Sequence, residues 1–339
     1  MNTRLLDAKK DADLTWAVQC LQAGGIGALP TETVYGLAGD ACREGVVGKI
    51  FAAKERPLTD PLIVHVGSFA EAQRIGKMTP LARNLAQHFW PGPLTLILPK
   101  QSLVPSLVTA GKPTVAVRMP SHPVIQQILR EGRLALAAPS ANCFGRISPT
   151  LPNHVQKDLK GRIDFILDGG PTGWGLESTV LDLSEEPLWK IYRPGPITLE
   201  ELETWARKFA PATRVETKSA VLDAGKAQSS PGLLERHYSP ETPLKLISDG
   251  EINGLAEALE NGKPGLLLWT GLGGAEMDSK SGRIFCLSPD GTLQTAAQNL
   301  YSVLHEMDQL GAPVIYVQRF PRSGLGLALN NRLERAASP

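Results

Sequence analysis

The sequence has few cysteines, and their spacing excludes the usual structural roles. Cys20, Cys42, Cys143 and Cys286 lie far apart, without the paired spacing of a disulfide framework or a zinc site. The chain also lacks the run of roughly 20 apolar residues that a membrane helix needs, and its first residues contain no apolar signal-peptide core. These absences predict a cytoplasmic protein without a disulfide, a metal site or a membrane partner.

Several motifs of familiar enzyme classes are also missing. The chain contains no G-x-x-x-x-G-K-[ST] loop, no H-E-x-x-H helix, no G-x-S-x-G elbow, no Cys–His pair and no close carboxylate cluster. This argues against P-loop NTPases, and against metallohydrolases, thiol enzymes and serine hydrolases of the motif-bearing kinds. The glycines at 270–282 do not form the G-x-G-x-x-G fingerprint of dinucleotide binding. What remains is a reaction whose substrates supply the nucleophile and the leaving group, while the protein aligns them and neutralises charge.

The net charge of +1 conceals an asymmetry along the chain. Residues 1–150 carry 16 Lys and Arg against 10 Asp and Glu, whereas the remainder carries 19 against 24. The first part therefore favours anions. A surplus of this size suits a phosphate-bearing small molecule, or a brief contact with a nucleic acid, better than a dedicated nucleic-acid binder. Scattered solvated charges would give the same count.

Apolar runs of strand length alternate with helical patterns in the first part of the chain. Strands are predicted at LIVHV (62–66), LTLILP (94–99), TVAVRM (114–119), LALAAP (134–139), STVLDL (178–183) and LWKIYR (188–193). Helices are predicted at 43–54 and 79–90, the second with Thr79 as N-cap and proline at the first helical position. Because some strands follow each other after very short turns, we predict an α/β domain with a mixed sheet.

The length of 339 residues and a break in the apolar pattern predict two domains. We predict a catalytic domain at 1–207, a linker at 208–240 and a smaller Rossmann-like α/β domain at 241–339. A loop as long as this linker tends to be functional or disordered. It contains His237 and Tyr238, so we expect it to cover the active site. The alternative is that these side chains only pin the linker to the domain surface.

Two basic segments of the first domain are candidates for anion binding. Lys54 and Arg56 are two residues apart, so in an extended segment both side chains can face one phosphate. A basic pair at a helix C-terminus can also simply complement the helix dipole. His65 lies in LIVHV, and its side chain faces opposite to those of Val64 and Val66. It is either a core histidine whose hydrogen bonds are made within the protein or a residue that binds a ligand.

Arg118 ends a predicted buried strand and therefore needs an anionic partner, because burying it unpaired costs several kcal/mol. At this point the anionic partner of Arg118 can be either an internal carboxylate or the carboxylate of a substrate. The loop APSANCFGRISPT (138–150) offers the hydroxyl and amide groups of Ser140, Asn142 and Ser148, with Arg146 beside them. That composition suits phosphates and nucleobase edges.

Seven motifs occur in one order along the chain: PTETVYGL, KERPLTDPLIVHV, PGPLTLIL, TVAVRMP, APSAN, ESTVLDL and IYRPGPI. Together they resemble the YrdC-like family of threonylcarbamoyl-AMP synthases, in the long form that has an added C-terminal domain. The family signature K-x-R followed by S-x-N corresponds to Lys54, Arg56, Ser140 and Asn142. SPGLLERHYSP and GLGLALNNRLERAA resemble features of the long form, so the resemblance covers nearly the whole chain.

The resemblance implies a nucleotidyltransferase with a YrdC-like mixed-sheet domain and a Rossmann-like domain. Its expected reaction makes L-threonylcarbamoyladenylate and pyrophosphate from L-threonine, bicarbonate or CO2, and ATP, for the threonylcarbamoyladenosine modification of tRNA. Mg²⁺ is expected to be held mainly through the ATP phosphates. The expected downstream partners are tRNA-threonylcarbamoyl transferase proteins, and a weak direct contact with tRNA is left open.

The resemblance also implies roles for individual residues. Lys54 and Arg56 are the expected catalytic residues. The expected threonine pocket consists of Thr33, His65, Arg118, Ala138 and Ser178, with Gly36 allowing the backbone to approach. The expected ATP-binding residues are Arg56, Asp60, Thr114, Ser140, Asn142, Ser148, Arg193 and Tyr238.

Two rival interpretations come from other activities. A double-stranded RNA or tRNA-binding module without nucleotide turnover would explain the positive first part of the chain. It would not explain why Thr33, His65 and Ser178 should converge on one pocket. Carbamoyl transfer to a protein thiol would need accessory zinc-finger and acylphosphatase-like segments, which the sequence does not contain.

Overall fold

The computed structural model describes residues 2–185, 187–217, 228, 237–252, 265–268 and 284–338. Within these residues, no helix is long and apolar enough to cross a bilayer. The described residues form two sheets, one in the first part of the chain and one in the second.

An eleven-stranded sheet forms the first domain. Its strands in chain order are β1 Arg4–Asp7, β2 Gly27–Leu29, β3 Gly36–Asp40, β4 Ile63–His65, β5 Leu94–Pro99, β6 Thr114–Arg118, β7 Leu136–Ala137, β8 Phe165–Asp168, β9 Thr179–Asp182, β10 Leu188–Arg193 and β11 Arg214–Thr217. Their order across the sheet is β1-β8-β2-β3-β7-β4-β6-β5-β9-β10-β11. β4 and β6 are parallel, whereas β5 and β6 are antiparallel. The predicted mixed α/β sheet is confirmed.

The helices of this domain begin and end where local chemistry places them. Their bounds are α1 Asp11–Gln22, α2 Glu44–Lys54, α3 Phe69–Ile75, α4 Pro80–Phe89, α5 Pro123–Gly132, α6 Pro152–Leu159 and α7 Leu199–Phe209. Thr79 caps α4 by accepting a backbone N–H, and Pro80 is its first residue, as predicted. α2 ends at Lys54 because Glu55 is left-handed, with φ of 56°. Arg56 therefore lies in the loop that follows.

The two faces of the central strands differ in composition. Val64 and Val117 are fully buried in the main hydrophobic core, together with residues of α2 and α4. Side chains alternate along a strand, so His65, Arg118 and Thr95 lie on the opposite face. In register, His65 is paired with Arg118, and Arg118 with Thr95. A polar row therefore crosses the sheet on the face away from the main core.

The second domain contains a four-stranded parallel sheet. Its elements are β12 Leu244–Ile247, β13 Gly265–Leu268, β14 Ile284–Cys286, β15 Ile315–Gln318, a 3-10 turn at Asp249–Glu251, α8 Leu293–Asp308 and α9 Leu325–Ala336, with the strand order β12-β15-β13-β14. The predicted smaller Rossmann-like domain is confirmed. The segment EINGLAEALENG (251–262) also has a helical pattern, but most of it, and the glycines at 270–282, lie outside the described residues.

The first domain extends further along the chain than the sequence pattern indicated. Residues 208–217, predicted as the start of the linker, contain the end of α7 and strand β11, which pairs in parallel with β10. β11 is short, lies at the sheet edge and has no buried residue. It therefore has no apolar alternation that a sequence pattern could reveal. Most of the remaining predicted linker, 218–227 and 229–236, lies outside the described residues.

Candidate active site

A pocket lies over the polar row of the central strands. Nine predicted site residues line it: Thr33, Arg56, His65, Arg118, Ala138, Ser140, Ser178, Arg193 and Tyr238. The remaining lining residues are Thr31, Val34, Gly36, Ile63, Pro139, Glu177 and His237. These residues are distributed from position 31 to position 238, so the fold alone brings them together.

The PTETVYGL loop orients the Thr33 hydroxyl. Thr31 Oγ1 accepts the backbone N–H groups of Thr33 and Val34, which occupies both of its lone pairs. Thr33 Oγ1 lies 2.8 Å from Thr31 Oγ1 and accepts an N–H of Arg118 at 2.9 Å. Thr31 Oγ1 also donates to the Val34 carbonyl at 2.7 Å, and either hydroxyl can be the donor in the contact between the two threonines.

Gly36 allows the PTETVYGL loop to lie against the loop after β7. Gly36 and Ser140 form an antiparallel bridge, and a Cβ at position 36 would lie 3.2 Å from the Cβ of Ala138. That distance is tighter than an ordinary van der Waals contact. The expected close backbone approach at Gly36 is therefore present, and it joins Thr33 and Ser140 in one pocket wall.

Arg118 has an internal carboxylate partner. Its Nη2 lies 2.7 Å from Glu32 Oε1, while Nε donates to the Gly92 carbonyl at 3.2 Å. Burial tends to raise the pKa of Glu32, but the charge of Arg118 outweighs it and holds that pKa below its usual value. Between the two partners that the sequence left open, the structure shows the internal one. The expected grip on a threonine carboxylate stays a prediction, for which the guanidinium, a five-donor group, has N–H groups beyond these contacts.

His65 is a neutral imidazole beside this guanidinium. Burial, assisted by the positive charge of Arg118, lowers the pKa of His65 to about 3. At neutral pH it therefore offers a hydrogen-bonding ring to the pocket and adds no charge.

Ser178 and Arg193 form a linked part of the pocket wall. Ser178 Oγ lies 2.7 Å from Thr95 Oγ1 and accepts an N–H of Arg193 at 3.1 Å. Arg193 Nε also donates to the Ser178 carbonyl. The wall is closely packed, because a Cβ at Gly195 would lie 2.5 Å from the backbone nitrogen of Thr179.

Lys54 lies behind the pocket and does not line it. Its buried ammonium donates to the carbonyl oxygens of Ser140 and Asn142 at 2.5 and 2.6 Å. Burial, and then the nearby charge of Arg56, lowers its pKa to about 7. The Asn142 amide in turn donates to the carbonyls of Cys143 and Arg146. Lys54 and Asn142 therefore fix the loop that presents Ser140, and their contacts with phosphates stay predictions.

Asp60 has a similar position behind Arg56. Its Oδ2 lies 2.9 Å from Arg56 Nη2, and both side chains are almost fully buried. Arg56 also donates to the carbonyls of Asp60 and Pro61. Thr114 starts β6 and Arg118 ends it, which separates them by about 13 Å along the strand. Neither Asp60 nor Thr114 is a lining residue of the pocket, and their roles toward ATP stay predictions.

Glu177, which was not among the predicted site residues, lines the pocket directly before Ser178. Its Oε1 accepts the Ser148 hydroxyl at 2.5 Å, and its Oε2 accepts Arg332 Nε at 2.6 Å and the Tyr301 hydroxyl at 3.1 Å. Burial opposes ionisation, but Arg332 and Arg193 hold the pKa of Glu177 below its usual value. The sequence signal for Glu177 was its position directly before Ser178, a predicted threonine-binding residue. Because Tyr301 and Arg332 belong to α8 and α9, the second domain buttresses the pocket wall.

Comparisons with known proteins match this architecture along nearly the whole chain. The family model described as "Telomere recombination" matches residues 19–195, and "Threonylcarbamoyl-AMP synthase, C-terminal domain" matches residues 197–338. The threonylcarbamoyl-AMP synthase of Pyrococcus abyssi is 40% identical over 326 residues, covering 94% of this chain and 92% of that protein. This chain belongs to the threonylcarbamoyl-AMP synthase family. A second synthase of that name, from Bacillus subtilis, is 39% identical, with 96% and 93% of the two chains covered.

Solved structures agree with this membership. P. abyssi Sua5 complexed with L-threonine superimposes with a TM-score of 0.87 and 36% identity, covering 99% of this chain and 98% of that one. The structure of E. coli YciO, at 21% identity and a TM-score of 0.51, covers 57% of this chain and shares the fold alone. The predicted family, enzyme class and two-domain fold class are confirmed, and the RNA-binding module is not favoured.

In this synthase, the described end of the predicted linker contacts the pocket. His237 and Tyr238 are lining residues, and Tyr238 stacks on Tyr301 with ring centroids 6.0 Å apart. The backbone N–H of His237 donates to the carbonyl of Arg335 in α9. The His237 ring also meets the Phe144 ring of the first domain edge to face, with centroids 5.8 Å apart, so the linker end contacts both domains. Whether it covers bound substrates stays a prediction.

Proposed function

We propose that this enzyme converts L-threonine, bicarbonate or CO2, and ATP into L-threonylcarbamoyladenylate and pyrophosphate. The observation that carries the proposal is that Thr33 and Arg118, which we assign to the amino acid, line one pocket with Arg56 and Arg193, which we assign to the phosphates. The relative from P. abyssi solved with L-threonine supports the same substrate. The product would serve the threonylcarbamoyladenosine modification of tRNA.

The pocket groups suit each stage of this reaction. The threonine amine adds to CO2 and loses a proton to form a carbamate, and a carbamate oxygen then attacks the α-phosphorus while the bond to pyrophosphate breaks. Thr33 offers its hydroxyl to the amino acid, and Arg118 offers N–H groups to its carboxylate. Arg56 and Arg193 neutralise charge on the phosphates. Because these arginines are buried, their electrostatic effect is stronger than it would be in water.

Mg²⁺ would enter this site on the ATP phosphates. The pocket carboxylate Glu177 already accepts three side-chain donors, and Asp60 is paired with Arg56. Among the described residues there is no group of three side chains placed to hold a metal ion. When bound, Mg²⁺ supplies charge neutralisation to the phosphate oxygens.

Several consequences of this function stay predictions. They are bicarbonate as a co-substrate, hand-over of the product to tRNA-threonylcarbamoyl transferase proteins, weak contact with tRNA, and a cytoplasmic location. A duplex RNA surface is not favoured here, because Arg56, Arg118 and Arg193 are each less than 10% exposed. Buried guanidinium groups are out of reach of a nucleic-acid backbone.

Pyrophosphate release by the wild-type protein tests the proposal. We expect release only with ATP, threonine, bicarbonate and Mg²⁺ together, with a product of the mass of threonylcarbamoyladenylate. Serine should react less well without being excluded, since one missing methyl is worth about 1–3 kcal/mol. Valine at equal efficiency would refute the hydroxyl readout by Thr33. Salt-dependent RNA binding without pyrophosphate release would refute the proposed function itself.

A further inference from the structure

We infer that Glu32 is a positioning residue for the amino-acid substrate, acting through Arg118. The inference rests on the proposed function, because it takes threonine as the ligand of Arg118. Its first basis is burial: Glu32 and Arg118 are 8% and 3% exposed, and their side chains form an ion pair at 2.7 Å. A buried carboxylate beside a ligand-binding arginine needs an explanation, because ion pairs in the interior add little stability over apolar packing.

The Glu32 carboxylate is not part of the pocket lining. Arg118 lines the pocket, but Glu32 does not. Arg118 therefore connects the two, because its Nη2 meets the carboxylate while the same residue lines the pocket. A carboxylate that competed with the substrate would have to project into the pocket.

Three contacts in different directions fix the guanidinium plane. Nε donates to the Gly92 carbonyl, Nη1 donates to Thr33 Oγ1, and Nη2 meets Glu32 Oε1. The loop that carries Glu32 is itself held, because the Glu32 carbonyl accepts the backbone N–H of Trp174 at 2.7 Å. Glu32 thus holds the Nη2 side of the fork, so that the remaining N–H groups and the Thr33 hydroxyl face the ligand together.

Arg56, which we assign to the phosphates, repeats the arrangement. Arg56 lines the pocket, and Asp60 lies behind it at 2.9 Å without lining the pocket. Each pocket arginine of these two pairs therefore has its own carboxylate behind it. The repetition provides a matched comparison, in which each carboxylate should affect the ligand of its own arginine.

Calorimetric titration of threonine and, separately, of ATP into the full-length protein tests the inference without requiring turnover. We expect Glu32→Ala to weaken threonine binding about tenfold or more, and ATP binding less than twofold. Glu32→Gln keeps an oxygen acceptor of the same length, so it should retain threonine affinity within about threefold of wild type. Asp60→Asn should leave threonine affinity unchanged. Glu32→Gln also keeps the test valid if the alanine variant does not fold.

A double-mutant cycle separates positioning from a general loss of structure. If Glu32 acts through Arg118, Glu32→Ala should weaken threonine binding no further once Arg118→Met is present. Additive losses, or threonine binding that is unchanged or tighter in Glu32→Ala, would overturn the inference while leaving the proposed function intact. Absence of threonine binding by the wild-type protein would overturn the proposed function and this inference with it.

Discussion

Lys54 and Arg56 are two residues apart, yet the structure gives them different environments. Arg56 lines the pocket, whereas the Lys54 ammonium is fully enclosed and donates to two carbonyls of the 140–142 loop. The left-handed turn at Glu55 separates them, so they do not share one extended face. The K-x-R and S-x-N parts of the family signature are therefore in direct contact through Lys54.

Replacing Lys54 by methionine tests this role. Methionine keeps the apolar stem but removes the donors, so the carbonyls of Ser140 and Asn142 lose their partner. We expect the free energy of unfolding to fall by about 1.5–3 kcal/mol, as for a hydrogen bond to a charged group. The maximal rate should fall about tenfold or more, which corresponds to about 1.4 kcal/mol of transition-state stabilisation. Steady-state kinetics and denaturant unfolding measure the two effects.

Lys49→Met is the matched control for Lys54. Lys49 lies on the same helix and donates to the Gly24 carbonyl, and neither of these residues lines the pocket. The Lys49→Met substitution should leave the maximal rate unchanged. A higher Michaelis constant for threonine with an intact maximal rate in Lys54→Met would contradict the role assigned to Lys54.

The ESTV segment before β9 shows how one element positions several pocket groups. It supplies Glu177 and Ser178 in succession, and Gly195 after β10 packs directly on its backbone. The hypothetical Cβ of residue 195 would lie 2.7 Å from the Glu177 carbonyl oxygen. Because a backbone atom cannot rotate away as a flexible side chain does, the segment itself would have to move.

Gly195→Ala should therefore lower both stability and activity. Overpacking of this kind lowers the free energy of unfolding by about 1–3 kcal/mol. The displacement of Ser178 and Glu177 should also weaken substrate binding. Gly45→Ala is the control, since Gly45 lies in α2 with no atom near its hypothetical Cβ. Alanine there should stabilise the helix by about 0.5–1 kcal/mol. If Gly195→Ala behaves like Gly45→Ala in urea unfolding, the close contact is not a constraint.

At the scale of the whole molecule, a buried polar interface joins the two domains. The Glu177–Arg332 ion pair, the Thr150–Ser302 hydrogen bond and a stacked pair of histidines lie within it. The rings of His154 and His305 are 3.9 Å apart, and His305 Nε2 lies 3.3 Å from the Ser148 carbonyl. Burial lowers the pKa of His154 to about 4 and of His305 to about 3, with a further lowering by Lys157. Asp308 partly opposes the effect at His305.

This histidine pair predicts acid-labile stability. In the unfolded chain both histidines bind protons below about pH 6.5, whereas in the folded protein they stay neutral to a much lower pH. The stabilisation is therefore complete above pH 6.5 and falls with decreasing pH, by about 1.4 kcal/mol per pH unit for each histidine. His154→Phe should reduce the slope of unfolding free energy between pH 6.5 and 5 by about that amount.

His88→Gln serves as the comparison for the pH series, because His88 is exposed. For the His88→Gln variant, the slope of unfolding free energy against pH should match that of the wild type. Equal slopes for His154→Phe and wild type in denaturant titrations would show that the interface histidines do not control acid stability.

Local sequence patterns predicted a helix cap and several strands of this protein and its fold class. The cap at Thr79, the alternation in β4 and β6, and the two-domain α/β class depend on neighbouring residues, and all were readable from the chain. Strand β11 was not readable, because three of its four residues are polar and none is buried, and only its pairing with β10 identifies it as a strand. Motif resemblance supplied residues such as Thr33, His65 and Ser178 as candidates.

Only the tertiary structure decided which charges face the pocket and which lie behind it. The sequence could state that Arg118 needed an anion, but Glu32 became its partner because a loop between β2 and β3 closes over the end of β6. It gave no indication that Glu177 accepts donors from α8 and α9, since these contacts span 124 to 155 residues. Periodicity and capping depend on residues that are close together in the sequence, so a sequence pattern can reveal them. Charge pairing depends on distances in space, which exist only after the chain has folded.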